Sequence, residues 1–309
     1  MMHDFRLTTP IAFVIFNRPD TTARVFETIR QAKPPTLLVV ADGPRQDREG
    51  EAVKCEQTRA IISRVDWPCE VLTNFSDTNL GCKKRVSSGI DWVFKTVPEA
   101  VILEDDCLPD PTFFRFCDEL LERYRDDERI MMISGDNFQF GRKRTSHSYY
   151  FSRYTHIWGW ASWRRAWQHY DVDMKLWPAS RESGLLNDIL DDSKAVRHWR
   201  NIFDRVSRGE INTWDYQWTL ACWLQSGLSV MPNVNLVSNI GFHAGATHTA
   251  ADSPFSDMPT EPVQFPLDHP PFVLRNRHAD DFTQRTHVTE GLGIRLRRKL
   301  GKLVDSRRP

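Results

Sequence analysis

The first 140 residues alternate between short apolar runs and amphipathic helical patterns, and this alternation restricts the fold more than any other feature. Five runs have the length and the branched side chains of buried strands. They are residues 11–16, 36–41, 69–73, 100–103 and 130–134. Strands separated by helices at this spacing predict an α/β fold with a mostly parallel, Rossmann-like sheet that carries helices on both faces.

The second half of the chain has a different character. Residues 141–245 hold most of the 11 tryptophans, two predicted helices (193–207 and 215–226) and two strand-like runs (228–231 and 235–240). We interpret residues 1–140 and 141–245 as two halves of one domain. Residues 246–309 form a predicted loop-rich tail, in which a basic amphipathic helix at 294–304 could lie on an anionic membrane surface or remain a solvated terminus.

Charge and composition exclude several classes of protein. Lys plus Arg and Asp plus Glu both number 41 in the 309 residues, so a dedicated nucleic-acid binder is not expected. No apolar run reaches the length of a membrane span, and the N-terminus lacks the layout of a signal peptide. The six cysteines form no zinc-type spacing, and we expect a cytoplasmic protein with reduced thiols.

Charged side chains follow three of the predicted strands directly. Arg18 follows the first strand, Asp42 follows the second, and Glu104, Asp105 and Asp106 follow the fourth. Because ligands of such sheets bind beyond the carboxyl ends of the strands, these groups predict one site. Three adjacent carboxylates repel one another unless a cation relieves them, which indicates a divalent ion shared with substrate phosphates. A solvated acidic turn, and an Asx-turn at Asp42, are the structural alternatives.

The second half supplies an acid among indoles. Asp215 follows Trp214 at a predicted helix start, where partial desolvation would raise its pKa into the range of a general base. Helix capping is the alternative role for this carboxylate. Trp158, Trp160 and Trp214 are the candidates for stacking on a sugar ring, although large aromatic side chains also fill cores.

Three further positions are candidates for ligand contacts. Arg85 closes a basic run with Lys83 and Lys84 at the start of a predicted helix, which would attract phosphate or form a solvated face. His243 could complete a metal shell together with a carboxylate, and His248 has the same potential. Either histidine could instead be a surface residue of the predicted loop at 244–271, which could serve as a lid over the site.

The ordered set of these motifs resembles the glycosyltransferase A superfamily of nucleotide-diphospho-sugar transferases. Within it, the chain is most similar to the N-acetylglucosaminyltransferase I type and to bacterial relatives that accompany surface-polysaccharide genes. The resemblance spans about residues 10–245. Its segments are Phe16-Asn-Arg-Pro19, Ala41-Asp-Gly43, Val101-Ile-Leu-Glu-Asp-Asp106 with Pro111 to Phe114, Trp158-Gly-Trp160 and Trp214-Asp215.

The resemblance implies a function for each half of the domain. Residues 1–140 would bind a nucleotide-diphosphate sugar, with a UDP-sugar as the expected donor, and residues 141–245 would bind a glycan or lipid-linked acceptor. Asp106 resembles the ligand of a Mn²⁺ or Mg²⁺ ion, and Asp215 resembles the base of an inverting transfer. The remaining positions resemble donor contacts, namely Glu104, Asp105, Asp42, Arg18 and Arg85.

Two other functions compete with this interpretation. A nucleotidyltransferase would use a similar sheet with a divalent ion, but it would need a glycine-rich basic loop after the first strand, and Asn17-Arg-Pro-Asp20 has no glycine. A non-catalytic scaffold of a polysaccharide assembly pathway could keep the fold without turnover. Hydrolysis of a nucleotide-sugar donor distinguishes an enzyme from such a scaffold.

Overall fold

A computed structural model describes residues 5–242 and 254–286 of the chain, and all structural statements below refer to these residues. Within them, eight strands form one central sheet. In chain order they are β1 (Ile11–Ile15), β2 (Thr36–Ala41), β3 (Glu70–Phe75), β4 (Glu99–Glu104), β6 (Ile130–Ser134), β7 (Tyr149–Ser152), β8 (Trp160–Trp163) and β9 (Leu228–Pro232). Two short strands, β5 (Cys107–Pro109) and β10 (Val237–Asn239), pair separately in an antiparallel ribbon.

Helices connect most of the strands of the first half. They are α1 (Pro19–Ala32), α2 (Glu51–Ala60) with a short 3₁₀ turn (Ile61–Arg64), α3 (Gly81–Thr96) and α4 (Thr112–Arg123). In the second half they are α5 (Arg164–Trp167), α6 (Trp177–Glu182), α7 (Leu185–Ile189), α8 (Ser193–Ser207) and α9 (Asp215–Leu224). No helix among the described residues is long and apolar enough to cross a lipid bilayer.

The sheet is mostly parallel, as predicted. Its strand order is β3-β2-β1-β4-β8-β6-β9-β7, and the first four strands run in one direction. Strand β8 is antiparallel to both β4 and β6, and β7 is antiparallel to β9 at the edge. The insertion of β8 between β4 and β6 joins the two halves of the sequence in one sheet.

Side chains of successive strand residues point to opposite faces of the sheet, and in this sheet both sets are apolar. Helices pack on both faces and bury them. Phe13 belongs to a core shared with α1 and α4, whereas the adjacent Val14 belongs to a core shared with α3 and α9. Gly89 of α3 lies so close to Val40 of β2 that an added Cβ would come within 2.4 Å of it. The predicted fold class is therefore confirmed.

Three strands were not predicted from sequence: the short β5, which pairs outside the main sheet, and two strands of the sheet itself. These two are the edge strand β7 and the central strand β8, which lie in the tryptophan-rich second half of the chain. Each has only four residues and lacks the length and the alternation of a typical strand. The run at 235–240 forms only the three-residue β10, which pairs with β5 outside the main sheet. This ribbon lies directly beyond the acidic triplet that ends β4.

The segment at 254–286 packs on both halves of the domain, on α4 of the first half and on β7 of the second. Residues 254–271 contain neither helix nor strand, as predicted for this loop, yet Val263 and Leu267 are buried against the main core. Residues 277–286 are helical, and the buried Asp280 accepts hydrogen bonds from Ser152 Oγ and Arg153 Nε at 2.6 and 3.2 Å. The predicted basic helix at 294–304 lies outside the described residues.

Candidate functional site

A cleft of about 460 Å³ opens at the carboxyl ends of β1, β2 and β4. Parallel strands β1, β2 and β4 are neighbours, so the residues that follow them meet at one edge of the sheet. The cleft also receives residues from the start of α3, from the 157–158 turn and from the start of α9. Its sequence-predicted lining residues are Arg18, Asp42, Arg85, Glu104, Asp105, Asp106, Trp158, Trp214 and Asp215.

The acidic triplet and Arg18 are in direct contact. The Nη1 atom of Arg18 donates to Oδ2 of Asp106 at 2.6 Å and to Oδ1 of Asp105 at 3.4 Å. The second oxygen of Asp105 accepts a hydrogen bond from the backbone N–H of Phe16 at 3.0 Å. Asp105 therefore joins the end of β4 to the end of β1. Among the described residues, the Oδ1 atom of Asp106 is contacted only by the Cys107 thiol, at 3.6 Å.

Arg18 compensates only part of the negative charge. Burial raises the pKa of Glu104 well above its usual range, and repulsion from Asp106, Asp105 and Asp215 raises it further. Burial and the neighbouring Asp106 likewise raise the pKa of Asp105. Burial alone would lower the pKa of Arg18, but the attraction of Asp105 and Asp106 raises it above its ordinary value. One guanidinium group thus serves three carboxyl groups, and a further cation would favour their ionised forms.

The donor set fits a divalent ion that is completed by substrate oxygens. No group of three His, Cys, Asp or Glu side chains has metal-ligand geometry in the described ranges, so the protein offers no complete cage there. A cation that takes one or two carboxylates and the oxygens of a bound diphosphate needs no such cage. Asp106 is the carboxylate suited to this role, and the proposed contributions of His243 and His248 concern residues outside the described ones.

The backbone at Gly241 lies directly against Asp106. A Cβ atom at position 241 would come within 2.2 Å of Oδ2 and 2.8 Å of Cβ of Asp106. The backbone N–H of Ile240 also donates to the carbonyl of Asp106 at 2.8 Å. Glycine is therefore required where the chain leaves β10 and passes over the acidic triplet, a constraint that no sequence motif revealed.

Asp42 organises the loop between β3 and α3. Its two carboxylate oxygens accept four hydrogen bonds at 2.9–3.1 Å, from the backbone N–H groups of Gly43, Leu80 and Gly81 and from the side-chain amide of Asn79. Gly43 is pressed against the backbone at 77–78, where an added Cβ would come within 2.5 Å of it. Asp42 lines the cleft, but its oxygens are already engaged, so its contact with a nucleotide stays a prediction.

Arg85 presents a partly unsatisfied guanidinium to the cleft. Its Nη2 atom donates to the carbonyl and the side-chain oxygen of Asn74 at 2.6 and 2.8 Å, while its buried Nε atom has no partner in the described structure. Burial lowers the pKa of Arg85. Cys82, one turn earlier in α3, also lines the cleft, and burial with nearby carboxylates raises the pKa of its thiol to about 12, which makes it an unreactive neighbour.

Sequence reasoning missed one further basic residue of the cleft. Arg45 lies three residues beyond Asp42 and lines the same opening. Its guanidinium and backbone N–H bind the buried carboxylate of Glu51, which also accepts a hydrogen bond from Asn17 Nδ2 at 2.8 Å. Glu51 therefore joins the loops that follow β1 and β2. The position of Arg45 at a strand end was the signal that could have identified it.

Asp215 reaches the cleft from the first turn of α9. The helix begins at Asp215 and its N-cap residue is Trp214, which makes no side-chain cap, so the capping alternative for Asp215 is wrong. The hydroxyl of Thr213 donates to Oδ1 of Asp215. Asp215 is also close enough to Glu104 to raise the pKa of that group. The structure thus brings the acid of the second half to the acidic triplet of the first.

The three tryptophans predicted to stack on sugar have different environments. Trp158 lines the cleft and is half-buried, and the carboxylate of the buried Asp136 accepts its backbone N–H at 2.9 Å. Trp160 has no exposed surface and stacks on Trp214 inside the core, so its predicted role in sugar binding is wrong. It is a residue of the central strand β8, whose inward side chains fill the core. Trp214 lines the cleft with only 2% of its surface exposed.

Comparison with known proteins gives only a weak likeness. No known family model matches the chain. No curated protein sequence matches it either. Among solved structures, a crystal structure of UDP-glucose pyrophosphorylase complexed with UDP-glucose is similar, with a TM-score of 0.35 and 7% identity over 73% of this chain and 90% of that chain. This likeness is too weak to support an argument about function.

Proposed function

We propose that the protein is a metal-dependent glycosyltransferase that moves a sugar from a nucleoside-diphosphate donor, with inversion, onto a glycan or lipid-linked acceptor. We further propose a UDP-sugar as the donor and surface polysaccharide as the product. One observation carries the proposal. Arg18, the Glu104-Asp105-Asp106 triplet and Asp215 line a single cleft at the carboxyl edge of a parallel sheet.

The donor half of the cleft suits an anionic ligand of cofactor size. Arg18, Arg45 and Arg85 line one opening, and guanidinium groups are suited to phosphate and carboxylate oxygens. The volume of about 460 Å³ is in the range of sites for cofactor-sized ligands. We expect Arg85 and the Asp42 loop to contact the nucleoside, and Arg18 to contact the diphosphate when its contacts with Asp105 and Asp106 rearrange.

The acidic triplet accounts for the proposed metal dependence. Asp106 would hold Mn²⁺ or Mg²⁺ together with diphosphate oxygens, because its Oδ1 atom accepts only a weak thiol contact among the described residues and the carboxyl groups beside it would be ionised more readily near a cation. When bound, the ion would offset the charge that develops on the leaving diphosphate. Glu104 and Asp105 would accept hydrogen bonds from hydroxyl groups of the donor.

Asp215 is the proposed general base. Its carboxylate would accept the proton of the acceptor hydroxyl while that oxygen attacks the anomeric carbon and the bond to the diphosphate breaks. One such displacement inverts the anomeric centre. The hydrogen bond from Thr213 orients the carboxylate, which lowers the entropy cost of reaching the geometry for proton transfer. Trp158 would offer its half-buried indole to the acceptor or to the donor sugar.

Hydrolysis and transfer assays test this function. The protein would be incubated with UDP-, GDP- and CDP-sugars, with Mn²⁺ or with EDTA, and the free nucleoside diphosphate would be measured. The proposal predicts metal-dependent release from one donor class, and a loss of that release in Asp215→Asn. Binding without release under every condition would support the scaffold alternative, whereas release of pyrophosphate from a nucleoside triphosphate and a sugar phosphate would support a nucleotidyltransferase.

A further inference from the structure

We propose that a basic patch formed by the loop at 142–144 and the helical residues 277–286, with exposed apolar side chains beside it, docks on an anionic lipid bilayer. The basic patch consists of Arg142, Lys143, Arg144 and Arg285. The membrane contact of the described residues is thus distinct from the basic sequence at 294–304. The reason for such a contact rests on the proposed function, because a lipid-linked acceptor is presented at a bilayer surface.

The cations of the basic patch lie around Arg144 and Phe282 and have no acidic partner in the part of the chain that the structure describes. None of them forms an ion pair with another described residue. Burial lowers the pKa of Arg144, and repulsion from Arg142 and Arg285 lowers it further, so both of these guanidinium groups lie within electrostatic reach of Arg144. The whole chain has a formal net charge of zero, so the positive charge of the basic patch reflects an uneven distribution of charge over the described surface.

The basic patch is held by a rigid support. Arg142 and Arg144 both lie over the ring of Phe282, with guanidinium carbons 4.5 and 5.0 Å from the ring centroid. The buried Gln139 accepts a hydrogen bond from Arg144 Nε at 2.5 Å and donates to Thr283 Oγ1 at 2.9 Å. The loop at 139–144 is thereby fixed to the helical residues 277–286, and its two arginines lie over the same aromatic ring.

Apolar side chains are exposed beside the basic patch. Phe140 has a φ of 50° and is followed by Gly141 at 77°, and this turn leaves the phenylalanine partly exposed although the left-handed region is unfavourable for a bulky residue. Phe272 and Leu274 are each 66% exposed, the highest values among the large apolar side chains in the described part of the chain. The side chain of Asn276, two residues beyond Leu274, donates to the carbonyl of Arg144 at 3.0 Å.

The combination favours a bilayer over a soluble polyanion. Lys and Arg side chains near an anionic leaflet are attracted to its headgroups, and exposed apolar side chains gain by entering the region beneath them. A polysaccharide or a nucleic acid would reward the cations but not Phe272 and Leu274. These two classes of partner are therefore distinguished by the effect of the apolar residues.

The basic patch is connected to the candidate active site through aromatic contacts. Trp158 of the cleft packs on Phe138, Phe138 packs on Phe255, and Phe255 packs on Phe140, with ring centroids no more than 5.6 Å apart at each step. A bilayer at the basic patch would thus lie close to the side of the cleft that carries Trp158. This is the side on which we expect the acceptor.

Vesicle co-sedimentation of the full-length protein tests the proposal. The probes are phosphatidylcholine vesicles with and without phosphatidylglycerol, and the variant is Arg142→Glu with Lys143→Glu and Arg285→Glu. The matched control, Arg24→Glu with Lys54→Glu and Arg64→Glu, changes three exposed cations of the first half by the same net charge. We expect the basic-patch variant to lose about 100-fold in partitioning onto anionic vesicles, since each basic side chain contributes about five-fold, and the control to change little.

A second variant separates a bilayer from other polyanions. Phe272→Ser with Leu274→Ser should weaken vesicle binding by ten-fold or more and leave binding to heparin unchanged. Equal losses in the basic-patch variant and its control, no binding of the wild type to anionic vesicles, or vesicle binding that is indifferent to both variants would overturn the proposal. Titration with UDP, followed in parallel without vesicles, tests the proposed function independently, so that failure of one is not confused with failure of the other.

Discussion

Arg18 Nη1 lies 2.6 Å from Asp106 Oδ2, so the cation that follows β1 neutralises the last acid of the triplet that follows β4. The same guanidinium group contacts Asp105 at 3.4 Å. Two strands that are neighbours in the sheet thus place opposite charges in contact at their carboxyl ends. The pair ties the geometry of the candidate metal ligand to the loop that begins α1.

Removal of Arg18 should destabilise the protein most when no divalent ion is present. Arg18→Met leaves the half-buried acids without their cation, and we expect a loss of about 1–3 kcal/mol in the free energy of unfolding in EDTA. Mn²⁺ should restore more stability to this variant than to the wild type. Thermal unfolding with and without Mn²⁺ measures both effects, and Arg24→Met, on the exposed face of α1, is the control. An identical response of Arg18→Met and wild type to Mn²⁺ would contradict the proposed cation site.

Asp215→Asn should separate binding from chemistry. The amide keeps the shape of the side chain but cannot accept the acceptor proton, so we expect transfer to fall by about 100-fold to 10,000-fold while affinity for the nucleoside diphosphate stays within about two-fold. Turnover and calorimetric titration of the same preparation measure the two quantities. Asp188→Asn, outside the cleft, serves as the control. Unchanged turnover in Asp215→Asn would require another base.

Trp158 and Trp160 differ in their environments, so alanine should affect mainly the kinetics at position 158 and mainly the stability at position 160. Trp160→Ala removes a fully buried ring from the core and should lower the free energy of unfolding by about 3–5 kcal/mol. Trp158→Ala, at the half-buried wall of the cleft, should cost less stability and instead raise the KM for the acceptor or donor sugar. Urea unfolding and steady-state kinetics of both variants check this contrast. A Trp158→Ala variant with wild-type kinetics would remove Trp158 from the site.

Asp136→Asn should stabilise the protein increasingly as the pH rises. Burial raises the pKa of Asp136 well above its ordinary value, and its Oδ1 atom has no partner among the described residues. Above the ordinary pKa of aspartate, the folded wild type therefore holds a proton that the unfolded chain has lost, and its stability falls with pH by up to about 1.4 kcal/mol per unit. The amide variant has no such proton. Urea unfolding from pH 4 to 7 should show a widening difference, and a constant difference would refute the buried neutral acid.

Much of the fold was predictable because its central strands are buried on both faces. Strands β1, β2, β4 and β6 are continuous apolar runs, which is the pattern that a doubly covered parallel sheet imposes. The short strands β7 and β8 were missed, because aromatic residues over four positions carry no clear period. The antiparallel insertion of β8 depends on tertiary packing of the second half, which a local pattern does not encode.

The candidate site was predictable where charge follows a strand directly. Arg18 and the acidic triplet meet in one cleft, as their positions after parallel strands indicated, and Asp215 lines the same cleft from the start of α9. The roles that depend on burial were not predictable, because sequence does not show which indole of Trp158-Gly-Trp160 points inward. Contacts made by backbone, such as Gly241 against Asp106, likewise have no sequence signature until the topology is known.

The proposed donor site is tested by calorimetric titration of UDP into the wild type and Asp106→Asn, with Mn²⁺ and with EDTA. We expect micromolar binding to the wild type with Mn²⁺, a loss of at least about ten-fold in EDTA, and no metal response in Asp106→Asn. The exposed Asp173→Asn variant should behave as wild type, since Asp173 lies outside the cleft. Binding of UDP that is equally tight in EDTA and in Asp106→Asn, or no binding of UDP, GDP or CDP under either condition, would contradict a metal-dependent donor site at the acidic triplet.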